Sequence, residues 1–183
     1  MQAHGFIQDM LDVKVLILFV AARAQYPLEL QKLYELCYQD DKLSYFDVCV
    51  AVPELVASGH LEQSGTGQYV ITEKGRRNEE LTADGIAFPV RQRALAAVER
   101  FNREAHRSSL VRTQILPRKN GDFSVVMALD DEVGNLMTLE LMAPTQKQAR
   151  ALERAFGNSA EQLFQMIMTE LLDEAEQKHD ADI

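Results

Sequence analysis

The stretch GHLEQSGTGQYVITEKGRR, from Gly59 to Arg77, forces a chain reversal within the first half of the sequence. Two strand-like runs, His60 to Ser64 and Gln68 to Thr72, flank Gly65-Thr66-Gly67, the composition of a tight hairpin turn. Tyr69 and Ile71 fall on one face of the second run and Val70 on the other. A lone two-stranded hairpin is marginal in water, so this one must lean on the elements beside it.

Three helical patterns precede it. Asp12 is placed to cap a helix running to about Ala24, with Val13, Leu16, Ile17, Val20, Ala21 and Ala24 at helical spacing. Val15, Leu18, Phe19 and Ala22 make its other faces apolar too. A helix apolar all round is covered on several sides, which predicts contact with another domain or subunit. Pro27 opens a short second helix to about Tyr38 through Leu30, Leu33, Tyr34 and Cys37. After the polar break at 39–42, Ser44 and Asp47 form a capping-type pair that opens a third helix, ending at Gly59. Pro53 inside it predicts a bend.

Three helices followed by a hairpin is the order of a winged helix-turn-helix. YVITEKGRR, Tyr69 to Arg77, is similar to the end of the second wing strand in many bacterial winged-helix regulators, where a Thr-Glu-Lys-Gly-Arg segment starts the next helix. With FIQDMLDVKVLILF (Phe6 to Phe19) and SYFD (Ser44 to Asp47), the chain resembles, over nearly its whole length, an uncharacterised bacterial winged-helix family, domain-of-unknown-function family 4364. The resemblance implies the fold. The family carries no assigned activity, and wings occur in both DNA readers and protein-interaction modules.

The second half reads as a helix from Phe88 to about Arg107, then strands over 109–116, 123–129 and 136–142, joined by an Asn-Gly turn and a Gly-containing turn. A three-stranded antiparallel meander is expected. Thr145 with Gln148, and Ser159 with Gln162, are capping boxes that predict helices over 145–156 and 159–176, broken at Gly157-Asn158. The expected fold class is therefore α+β. Residues 1–85 form a winged-helix domain, 86–108 a basic amphipathic linking helix, and 109–183 an α+β domain whose sheet is packed by C-terminal helices, with an acidic tail.

The net charge of −9 conceals a polarity. Residues 86–120 hold eight Lys and Arg against two Asp and Glu, whereas 1–85 hold seven against thirteen and 121–183 four against thirteen. An acidic total argues against indiscriminate nucleic-acid binding but leaves room for a local basic footprint, because salt screens charges beyond about 10 Å. On the third helix, Asp47, Ala51, Glu54 and Ser58 share the face not crowded by large apolar groups, which carries two carboxylates and no base. That is a poor major-groove reader. Lys42, Ser44 and Tyr45 at its start form the remaining contact set there.

Two further basic sets are available. Lys74, Arg76 and Arg77 end the hairpin, where they either grip phosphates or are neutralised by Glu79 and Glu80. Arg93, Arg100, Arg103 and Arg107 fall within an arc of roughly 80° on the helix from Phe88. Arginines on one stripe can take phosphates or carboxylates, so an acidic protein surface is as available a partner as DNA.

Catalysis and cofactors find no foothold. His4, His60, His106 and His179 are scattered, Cys37 and Cys49 lack zinc-site spacing, and no G-x-S-x-G, phosphate-cradling loop or G-x-G-x-x-G occurs. The longest apolar run, Val15 to Ala22, is too short to span a membrane, and no leader-like segment precedes it. These residues predict a cytoplasmic, non-enzymatic protein without a cofactor. The expected role is a DNA-binding winged-helix regulator whose C-terminal domain dimerises or senses a ligand. The alternative is a winged-helix protein-interaction module without DNA binding.

Overall fold

The computed structural model describes residues 7, 9–38 and 43–181. The described residues form a mixed α+β structure with six α-helices, a two-stranded and a three-stranded antiparallel sheet. They fall into two compact units, Met1–Ala105 and His106–Ile183.

The first unit is built round α1 (Met10–Arg23). Asp9, not Asp12, caps it: the Asp9 carboxylate accepts from the N–H groups of Leu11 and Asp12, leaving Asp12 in the first turn beside the helix dipole. Helices α2 (Leu30–Cys37), α3 (Tyr45–Ala57) and α4 (Glu73–Thr82), with the second strand of the hairpin, pack round α1. Leu16, Ile17 and Val20 are thereby sealed within one chain. No second subunit is needed to cover the apolar faces of α1, which removes the sequence-based motive for a dimer there.

Helix α3 starts with the expected capping box, in which Ser44 and Asp47 bond reciprocally, and runs unbroken through Pro53. It ends in a Schellman turn. Gly59 stands at φ +73°, and the N–H groups of His60 and Gly59 return to the Leu55 and Val56 carbonyls. The strands β1 (Leu61–Gln63) and β2 (Tyr69–Ile71) follow, in register Leu61 to Ile71, with Gly67 at φ +80° in the turn. Leu28 bonds Tyr69 through both backbone groups, adding a one-residue third strand.

Helix α4 comes next, capped by Thr72. Its Gly75 lies so near the hairpin that a Cβ there would sit 2.2 Å from the His60 carbonyl oxygen. This is the physical requirement behind the glycine of the Thr-Glu-Lys-Gly-Arg segment. A 3-10 turn at Ala83–Gly85 leads to α5 (Phe88–Ser109), whose Val90, Ala94 and Val98 are buried in the same core as α1. The boundary between units thus falls inside α5, after Ala105, and the segment expected to link two domains is mostly a wall of the first core.

The second unit holds β3 (Val111–Pro117), β4 (Phe123–Asp130) and β5 (Asn135–Ala143), an antiparallel meander in that order. Val125, Met127 and Leu129 on one face of β4 pack against Ala149, Phe156 and Ala160 of α6 (Gln146–Ala181). The two expected C-terminal helical segments follow one another within α6, separated by a break one residue past Gly157-Asn158. The break is a kink at Ser159 (φ −138°, ψ 17°), whose hydroxyl donates back to the Ala155 carbonyl at 2.7 Å instead of opening a new capping box.

Gly75→Ala forces a methyl against backbone and should lower stability by about 1 to 3 kcal/mol, while Gly85→Ala, which meets nothing within 4 Å, should be nearly neutral. Equilibrium denaturation of both variants checks this, and equal stabilities would refute the close approach.

Candidate functional site

The residues expected to meet nucleic acid divide by what they already hold. Lys42 lies outside the described residues. Ser44 spends its hydroxyl on the α3 cap. The Tyr45 ring stands edge-on to Tyr34, centroids 5.4 Å apart, and Tyr34 in turn packs beside Tyr38.

The hairpin-end cluster is exposed, and two of its three cations bond backbone carbonyls. Lys74 Nζ donates to the Ser58 carbonyl at 2.7 Å, at the C-terminal end of α3. Arg76 Nη1 donates to the Ala22 carbonyl at 3.0 Å, in the last turn of α1. Arg77 pairs with Glu73 one turn earlier on α4, at 3.3 Å. Last-turn carbonyls lack helical partners and carry the negative end of the dipole, so cations are favoured there. Two neighbouring contacts complete the arrangement at the end of α1. Asn102 Nδ2 donates to the Arg23 carbonyl at 2.9 Å. Arg23, stacked 3.6 Å over the Phe19 ring, pairs with the buried Glu79 carboxylate at 2.7 Å. Glu79 therefore serves Arg23 and not the hairpin-end cations.

His60 sits among these groups. Its Nδ1 is 2.8 Å from the Ser58 hydroxyl and its Nε2 is 3.2 Å from the Asn78 amide nitrogen. Burial, then the Lys74 ammonium, pushes the imidazole below its ordinary value.

The outward face of α3 differs from the expected one. Ala51 is fully buried, because a small side chain lets α3 approach α1 closely, so Asp47, Ala51, Glu54 and Ser58 do not make the exposed face. That face carries Phe46, 72% exposed, with Val50, Pro53 and Ala57 following at helical spacing. Glu54 beside them pairs with Lys14 at 2.7 Å. No base lies on this face. The signal was present in the sequence: YFDVCVAVPELVA is apolar on two sides, as α1 is.

On α5, Arg93, Arg100 and Arg103 are exposed opposite the buried Val90, Ala94 and Val98. Arg100 and Arg103 have no ion-pair or hydrogen-bond partner among the described residues. Arg107 pairs with Glu161 at 3.6 Å within the second unit, beside a shallow groove lined by Ser108, Val111, Gly157 and Asn158 at the kink of α6. Among the described residues no three His, Cys, Asp or Glu side chains cluster as a metal site, and no helix is long and apolar enough to cross a membrane.

The chain belongs to the family DUF4364, a domain of unknown function, whose model matches residues 13–171. No curated protein matches it. Among solved structures it is similar to a hypothetical protein whose crystal structure was determined at 2.2 Å resolution, with 14% identity and a TM-score of 0.34, the match covering 79% of this chain and 54% of the other. The chain thus spans about half the length of that protein.

Because His60 is held below its ordinary value, the folded chain resists a proton that the unfolded chain accepts near pH 6.5. The His60 contribution is complete above that pH and is lost as pH falls through the folded value. Melting temperature should therefore drop more steeply below about pH 6.5 in the wild type than in His60→Gln; parallel pH profiles would contradict it.

Proposed function

We propose that the first unit is a winged helix-turn-helix acting as a protein-interaction module, by binding and not by catalysis, with α3 as the contact helix. The observation that carries this reading is the outward face of α3: Phe46 with Val50, Pro53 and Glu54, and no Lys or Arg. Phosphates repel carboxylates, base edges need hydrogen-bond partners that this ridge lacks, and an exposed large aromatic is an anchor of protein interfaces. The element order α1, the Leu28 strand, α2, α3 and the β1–β2 hairpin supports the fold assignment. The hairpin turn, Ser64 to Gln68, carries no base to enter a groove. Two unpaired cysteines, Cys37 and Cys49, fit a cytoplasmic setting.

A DNA-binding regulator is the second reading, and the exposed Arg100 and Arg103 favour it. On that reading α5, not α3, supplies the phosphate contacts.

Titrating a labelled duplex at low and high salt separates the two. An interaction module binds at neither, while phosphate binding falls steeply with salt, and Arg100→Ala with Arg103→Ala flattens the slope by about one unit per lost contact. A photo-crosslinking residue at position 46 should capture a discrete protein in the source cells where one at exposed Glu62 does not. Salt-sensitive duplex binding that needs Arg100 and Arg103, with no adduct from position 46, would overturn the module in favour of the regulator.

A further inference from the structure

We infer that the turn between β3 and β4 modifies itself: Asn120 loses its side-chain amide to the peptide nitrogen of Gly121, leaving aspartate or isoaspartate at position 120. The turn runs from Arg118 to Asp122 at an exposed end of the meander. Arg118 N–H donates to the Asp122 carbonyl at 2.8 Å, and Gly121 N–H donates to the Arg118 carbonyl at 3.1 Å. Gly121 stands at φ +89°, brings no side chain to shield its nitrogen, and has open space where a Cβ would lie. The Asn120 side chain is already folded back along that nitrogen. Its Oδ1 accepts from Asp122 N–H at 3.3 Å, and its Nδ2 donates to Asp122 Oδ2 at 2.7 Å. The first of these bonds closes a ring that contains Asn120 Cγ and the Gly121 nitrogen, so a succinimide is a tightening of a ring that the turn has formed. It also sets a donor on the oxygen that turns negative when Cγ is attacked. Exposed Arg118 and Lys119 add positive charge beside it.

In the first step the Gly121 nitrogen gives its proton to solvent hydroxide and bonds to Asn120 Cγ, the Cγ–Nδ2 bond breaks, and the amide nitrogen takes a proton from water and leaves as ammonia. In the second, water opens the imide: breaking the bond from the Gly121 nitrogen to Cγ gives aspartate, and breaking its bond to the main-chain carbonyl carbon gives isoaspartate. Gly121 N–H must leave the Arg118 carbonyl before it can react. That bond lies in an exposed turn, where local opening costs little. The products act on the sheet. Either one sets a second carboxylate against Asp122 where the amide donor had been, and isoaspartate adds a main-chain carbon to a tight turn, straining the Pro117–Phe123 pair beside it.

Peptide mapping by mass spectrometry tests this on the full folded chain, incubated at mildly alkaline pH beside a synthetic peptide of residues 117–124. The segment holding Asn120 should gain the mass difference between an amide and an acid at the rate of the peptide, and isoaspartate should accumulate together with aspartate. Asn102, Asn135 and Asn158 precede Arg103, Leu136 and Ser159, whose side chains crowd the attacking nitrogen, and should stay intact in the same samples. A folded chain that still holds Asn120 when the peptide has been consumed overturns the proposal. So does aspartate without isoaspartate, which marks direct hydrolysis and not attack by Gly121, or equal conversion at the other three asparagines.

Discussion

The C-terminal end of α1 is the point on which the first unit turns. The last carbonyls of a helix have no partners within it and must find them elsewhere. Arg76 from α4 takes Ala22, and Asn102 from α5 takes Arg23. Arg23 itself is fixed between the Phe19 ring and the buried Glu79 carboxylate. Helices α4 and α5 are therefore tied to one helix end by directed polar bonds, added to the undirected burial of Val90, Ala94 and Val98. Removing Arg23 would leave Glu79 buried without its cation, the kind of loss that costs about 3 to 5 kcal/mol.

The same logic reassigns the cations at the end of the hairpin. Lys74 neutralises the end of α3 and approaches His60, and Gly75 lets the backbone come near enough for both. The segment from Thr72 to Arg77 thus works as a fastener between helix ends. Beside these exposed cations, the surface of the first unit carries the aromatic and aliphatic ridge of α3 and the arginines of α5. The first suits a protein and the second suits anions of either kind, which is why the functional choice rests on those two surfaces.

Much of the backbone was legible in the residue pattern. The order of elements, the Ser44–Asp47 cap, both turns of the meander and the opposition of arginines to Val90, Ala94 and Val98 all follow from local periodicity and turn chemistry. What was not legible depends on long-range proximity. Ala51 reads as a surface residue until α1 is placed against it. Lys74 and Arg76 read as phosphate contacts or as partners of Glu79 and Glu80, because their acceptors, Ser58 and Ala22, are backbone carbonyls distant in sequence. The break in α6 falls at Ser159 and not at Gly157-Asn158, with Phe156 before it and Ala160 after it both packed on the sheet.

The central claim, that the hairpin-end cations hold helix ends and not phosphates, is tested most directly by replacing Lys74 and Arg76 together with Gln and measuring stability and duplex affinity on the same protein. The account predicts a loss of about 1 to 2 kcal/mol in unfolding free energy, since two carbonyls lose charged donors, with duplex affinity no different from the wild type. Unchanged stability together with a weakened, less salt-dependent interaction with DNA would contradict it.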